Sequence, residues 1–127
     1  MEPLWGGALV QLEQAMRFRL ARQGVLASNV ANADTPGYRR RELHFADKLG
    51  QEFLKLASSD TSHSGGSRSL KAHIERGPLG DRPDRNGVDL PRELVELNRN
   101  AGAFTDQATV LRRMISLRRT AIVGQPR

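Results

Sequence analysis

Residues 90–115 read LPRELVELNRNAGAFTDQATVLRRMI, and the spacing of their apolar members decides the fold. Leu90, Leu94, Leu97, Ala101, Phe104, Ala108, Leu111 and Ile115 follow one another by alternating steps of four and three. That is the rhythm of a helix presenting one continuous seam to a helical neighbour. Asp89 supplies an N-cap oxygen, and Pro91 falls in the first turn, where a missing N–H costs nothing. Glu93 and Glu96 place negative charge at the positive end of the helix dipole. Arg118 then replaces an apolar residue, Ile122 lies beyond it, and Gly124 and Pro126 stop the helix. A second stripe, Val110, Met114, Leu117 and Ala121, widens the apolar face of the last turns, which predicts contact with more than one neighbour.

A matching element lies at the other end of the chain. Trp5, Leu9, Leu12, Met16, Leu20, Leu26 and Val30 predict one amphipathic helix over residues 4–30. Arg19 and Gln23 interrupt its stripe where a strict heptad wants apolar residues, and Gly24 lowers helix propensity by about 1 kcal/mol relative to Ala. Pro36 keeps Thr35 out of helical geometry, and Pro36-Gly37 suits the two central positions of a type II turn, so the chain breaks sharply after Asn32. Helices of roughly 40 to 50 Å, at 1.5 Å per residue, exceed the three-turn average of globular domains and suit a filament or coiled-coil component.

The middle is different. Arg39, Arg40 and Arg41 follow Tyr38, and Leu43, Phe45, Leu49, Phe53 and Leu56 predict a short second helical piece or an irregular packed segment. From residue 57 to 89, six serines, five glycines and two prolines make 13 of 33 positions, the composition of a linker that buries little. Residues 69–74 offer at most one short extended piece. The expected layout is one mainly α structural domain: an N-terminal assembly helix (1–34), a turn motif with a flexible central segment (35–88) and a C-terminal heptad helix (89–127). The two terminal helices pair as a coiled coil.

Composition narrows the function. The chain has 127 residues, and Leu, Ile, Val and Phe make up 30 of them, so a lone folded chain has little to bury and gains from partners. With no cysteine there is no disulfide, thiolate metal site or cysteine nucleophile. The N-terminus lacks the pattern of a cleaved secretory signal, and no apolar run is long enough to span a membrane. Asp60, Ser62, His63 and Ser64 are triad residue types, but they stand side by side in the serine-rich linker, where a solvated loop is the favoured reading. His44, His63 and His73 lack metal-ligand spacing, and Gly65-Gly66 lacks the Lys-Ser/Thr ending of a phosphate loop. No catalytic residue, cofactor, metal or small-molecule substrate is expected. The net charge of +6 and the arginine clusters at 39–41, 112–113 and 118–119 permit a phosphate partner, so a small basic helical nucleic-acid-binding protein is the alternative reading. Little aromatic interleaving favours a solvated face or acidic neighbours instead.

The most informative stretch is Ala27-Ser28-Asn29-Val30-Ala31-Asn32-Ala33-Asp34-Thr35-Pro36-Gly37-Tyr38. Physically, Asn29 and Asn32 can bond backbone groups at a helix end, while Asp34 and Thr35 can hold the turn. The string closely resembles the N-terminal signature of the bacterial flagellar axial proteins, the rod, hook and hook-associated family. Asp34 with the following Arg40-Arg41-Glu42-Leu43-His44-Phe45, the Gly87-Val88-Asp89-Leu90 approach to the last helix and the Leu117-Arg118-Arg119-Thr120-Ala121-Ile122 ending resemble a short rod protein of that family. The resemblance covers both ends and fades in the middle.

That resemblance implies a structural subunit of the proximal rod of the basal body, in the periplasmic space, transmitting torque from rotor to hook. It implies export by the flagellar type III apparatus without a cleaved signal. The implied partners are other rod subunits, rotor-ring or adaptor proteins at the rod base, and the export apparatus. In the family the terminal helices line the axial tube and are often disordered in the free monomer. Asn29, Asn32, Asp34, Thr35, Pro36, Gly37 and Tyr38 form the expected assembly motif. Leu9, Leu12, Met16, Leu90, Leu94, Leu97, Phe104, Leu111 and Ile115 form the expected helix interface, with burial gained between neighbouring subunits.

Overall fold

In the computed structural model, which describes residues 6–45 and 72–124, the N-terminal periodicity becomes α1 (Gly6–Ala31) and the heptad stretch becomes α2 (Leu90–Val123). Neither Arg19, Gln23 nor Gly24 breaks α1, because tertiary contact with α2 outweighs a single weak propensity. Asp89 caps α2 as its side chain accepts from the Arg92 N–H, and Gly124, at φ +72°, closes it. Asn29 meets Glu93, Arg22 meets Glu96, and Arg19 and Gln23 meet Asn100. Positions fall along α1 as they rise along α2, so the two helices run antiparallel. The mainly α fold of two paired long helices is therefore the one expected.

Between the helices lies an element that the apolar spacing does not predict. β1 (Arg41–Phe45) and β2 (Ala72–Arg76) form a two-stranded antiparallel sheet with Leu43 opposite Ile74 and Phe45 opposite Ala72. In place of the short helical piece or irregular packed segment expected from Leu43 onward, Leu43 and Phe45 thus lie in a strand. These two residues are two apart and share one face of a pleated chain: Leu43 is buried, and Phe45 stacks on Phe18 of α1 with ring centroids 3.5 Å apart. Five residues are too few to tell period two from a helical period, and the backbone pairing with β2 decides it. Leu49, Phe53 and Leu56 lie outside the described residues, as do Asp60, Ser62, His63 and Ser64.

The buried apolar side chains Leu26, Ala33, Leu43 and Val88 gather where the end of α1, β1 and the approach to α2 converge. Residues 77–89, which by composition belong to a linker, are pinned there by backbone bonds from Gly37 N–H to Asp84, from Gly77 N–H to Arg40 and from Gly87 N–H to Tyr38. Gly80 lies so close to this loop that a Cβ would fall 1.8 Å from the Asn86 carbonyl oxygen. Gly80→Ala is therefore expected to open the loop and cost about 2 kcal/mol, seen as a lower urea midpoint with helix content retained. Among the described residues, no helix is long and apolar enough to cross a membrane.

Candidate functional site

The turn after α1 is shaped first by its own residues and then held by residues 84 and 86. The Tyr38 N–H donates to the Thr35 carbonyl at 3.2 Å across Pro36 and Gly37, and Gly37 has φ +68°, the left-handed value that a type II turn requires. Asn32 closes the helix end, its amide donating to the Ser28 carbonyl at 2.8 Å and its Oδ1 accepting from the Thr35 hydroxyl at 3.1 Å. Asp34, Thr35, Pro36 and Gly37 are exposed, while Asn32 and Tyr38 are half-buried.

Asn29 does more than end a helix. Its side chain is fully buried and uses every hydrogen-bonding position it has. Its Nδ2 donates to the Arg41 carbonyl at 2.8 Å and to Glu93 Oε2 at 3.0 Å. Its Oδ1 accepts from the Arg41 N–H at 3.0 Å and from the Tyr38 hydroxyl at 3.2 Å. One amide thus ties α1, β1 and α2 together, standing toward Arg41 as a neighbouring strand residue would.

A chain of charge continues from it. Glu93, with no exposed surface, accepts from Asn29 on one oxygen and from Arg40 Nε on the other. Arg40 also donates to Glu42, whose other oxygen takes Arg22 at 3.0 Å, and Arg22 reaches Glu96 at 3.2 Å. Two guanidinium groups and three carboxylates alternate across the junction, and such pairing is what makes buried charge tolerable. On the far side of the turn, buried Asn86 donates to the carbonyls of Asn32 and Thr35 at 2.9 and 2.8 Å and accepts from the Val88 N–H at 2.8 Å. The pre-helical loop is locked onto the turn by the same side-chain chemistry that locks the helices.

The arginine triplet is engaged internally. Arg39 donates to the Gly77 carbonyl at 2.6 Å, Arg40 is paired as above, and the Arg41 guanidinium lies 5.7 Å from the Tyr38 ring centroid. Of the solvated face or acidic neighbours expected for this cluster, acidic neighbours are found at Arg40, whereas Arg39 meets a backbone carbonyl and Arg41 an aromatic ring.

Similarity to known proteins centres on the same residues. Residues 11–39, which contain most of α1 and the turn, match the family described as flagella basal body rod protein. The chain is 32% identical to the flagellar basal body rod protein FlgB of Yersinia enterocolitica, covering 83% of this chain and 85% of that protein. It is also 32% identical to FlgB of Salmonella typhimurium, over 78% and 80% of the two chains, and 29% identical to FlgB of Bacillus subtilis, over 76% and 78%. The chain belongs to the FlgB family.

In this FlgB-family chain the expected interface residues separate into two sets. Leu9, Leu12 and Met16 of α1 and Leu97, Phe104 and Leu111 of α2 are half-buried, whereas Leu90, Leu94 and Ile115 are exposed. Glu93, Arg22, Arg40, Glu42, Asn86 and Asn100 are not among the residues that sequence pattern singles out for a site. Glu93 and Glu96 read in sequence as dipole partners, and the structure spends both on arginines instead. The available signal is the spacing of Glu93, Asn100 and Gln107, polar residues seven apart on a helix otherwise rich in apolar heptad positions.

The junction predicts a pH dependence for the stability of this chain. Burial alone would raise the Glu42 carboxyl, but hydrogen bonds from Arg22 and then Arg40 outweigh it and hold the group below the ordinary glutamate range. A lowered folded-state value means that stabilisation by Glu42 is complete above the unfolded value of about 4.3 and is lost as pH falls through the lower folded one. For Arg40, burial works against the charge, yet bonds to Glu93 and Glu42 raise its value overall, so it stays charged throughout this window. Glu42→Gln should therefore be destabilised relative to the wild type near neutral pH, with the gap in melting temperature closing as pH drops toward 3. A gap that stays constant over that range would show that the ion pairs do not couple to folding.

Proposed function

We propose that this chain is a structural subunit of the flagellar rod, placed in its proximal part, and that it joins the rod by folding its terminal helices against neighbouring subunits. The observation that carries this reading is the match to FlgB proteins over some four-fifths of both chains, with an identity of 32% in two of them. Support also comes from α2, which leaves Leu90, Leu94, Val95, Ile115, Leu117 and Ile122 exposed and so available to neighbouring subunits. Ordering two long helices is unfavourable where the described residues bury so few apolar side chains, and burial between subunits offsets that cost. Delivery by the flagellar type III apparatus without a cleaved signal, contact with rotor-ring or adaptor proteins at the rod base, and torque transmission in the periplasmic space complete the proposal. The rigid junction at Asn29 and Glu93 suits such a part, since it sets the angle between α1 and the chain that leaves it.

Expression of a tagged copy in a flagellated host lacking its own FlgB tests the proposal. Co-purification with detergent-extracted basal bodies and restored swimming are the expected results. Retention in the cytoplasm, with nucleic acid bound in a steeply salt-dependent way, would overturn it in favour of the basic-helix alternative.

A further inference from the structure

The face of α2 that meets α1 is not its most apolar face. Glu93, Asn100 and Gln107, seven residues apart, point into the junction: Glu93 and Asn100 are fully buried, and the Gln107 Oε1 is buried as well. Leu94 and Ala101, one position further round, are exposed. At about 100° per residue, the mean direction of the apolar heptad positions lies roughly 70° around the helix axis from the direction of this polar stripe. Leu97, Phe104 and Leu111 serve either orientation, so packing alone discriminates weakly between them.

The polar stripe becomes less well satisfied along its length. At Glu93 both carboxylate oxygens are bonded, to Arg40 and to an Asn29 that has no bonding capacity left over. At Asn100 the amide nitrogen donates to the Arg19 carbonyl and to Gln23 Oε1, but its Oδ1 is buried without a partner, as is Gln107 Oε1. Buried carbonyl oxygens left unbonded are unfavourable, so the distal half of the stripe does not choose this orientation for itself.

We propose that Glu93, held by Asn29 and Arg40, sets the rotation of α2 about its own axis and so acts as a positioning residue that keeps the Leu94 and Ala101 side of the helix facing outward. Without that anchor, α2 turns by the offset between the two stripes and packs its apolar seam on α1, which relieves the two orphaned oxygens. A buried polar group that selects one helix orientation over a more apolar competitor is a known device in helix pairs. The consequence for assembly, that the outward side stays available to a neighbouring subunit, rests on the rod reading. The rotation itself does not.

The absence of cysteine makes a direct test possible on the isolated full-length chain. Ala101→Cys places a thiol on the exposed side and Ala103→Cys places one on the half-buried side of α2. Maleimide labelling should be fast at the first and slow at the second. Adding Glu93→Ala or Asn29→Ala should slow the first and speed the second, each by about threefold, as the turned orientation becomes the major one. If both sites label faster, or neither changes, the anchor only stabilises the junction and the proposal fails. Glu93→Gln, which keeps the side-chain shape, gives the reading where an alanine variant loses its helical circular dichroism. Loss of helix in all three variants also overturns the proposal, because it assigns Glu93 and Asn29 to folding alone. Labelling needs no rod, so its failure is distinguishable from a failure of basal-body co-purification.

Discussion

Glu93→Ala is expected to lower the stability of the free chain by about 3 kcal/mol, the low end of the range for breaking a buried ion pair. The wild-type carboxylate has no exposed surface and two charge-assisted partners. Its removal leaves one Asn29 donor unmet and strips Arg40 of its more deeply buried carboxylate. Arg40 retains Glu42, which is why the low end applies. For a domain of this length the melting temperature should fall by roughly 10 °C. Glu93→Gln, which can still accept one of the two bonds, should lose less. Thermal unfolding followed by circular dichroism at 222 nm decides the matter, and a fall of under a degree or two in Glu93→Ala would mean that the junction is solvated in solution.

Leu94→Asp is expected to abolish swimming while leaving the free chain folded. Leu94 is 42% exposed and lies in the first turns of α2, where a negative charge is favourable to the helix dipole, so its replacement should change stability by no more than about 0.5 kcal/mol. On the outward side of α2, however, an aspartate would have to be desolvated against a neighbouring subunit. Swimming diameter in soft agar and immunoblots of extracted basal bodies report the result, with the melting curve of the free chain as control. Wild-type swimming would remove Leu94 from the subunit contact. Leu97→Asp is a poorer probe, because Leu97 is half-buried within the chain and its loss would mix folding with assembly.

That contrast shows what local pattern conveys. Leu94 and Leu97 are equivalent in the heptad reading, and both helices, the Asp89 cap, the Pro36-Gly37 turn and the Gly124 stop arise from spacing and backbone chemistry. These features depend on residues within one or two helical turns of each other, where propensity and periodicity act. The turn motif was legible for the same reason, since Asn32 and Thr35 bond groups no more than four positions away.

The rest depends on partners far apart in the chain. Arg41 to Phe45 become a strand because residues 72–76 pair with them, which no five-residue pattern specifies. Asn29 reads as a helix-end residue, yet it bonds Glu93 64 positions away. Asn86 reads as a loop residue, yet it holds carbonyls at 32 and 35. The amino-acid sequence by itself determined two amphipathic helices, where they begin and end, and the turn that closes the first of them. Which face of α2 turns toward α1 was decided only by the tertiary structure, because apolar burial is nearly non-directional and tolerates either orientation, whereas hydrogen bonds from Asn29 and Arg40 reach Glu93 in one orientation.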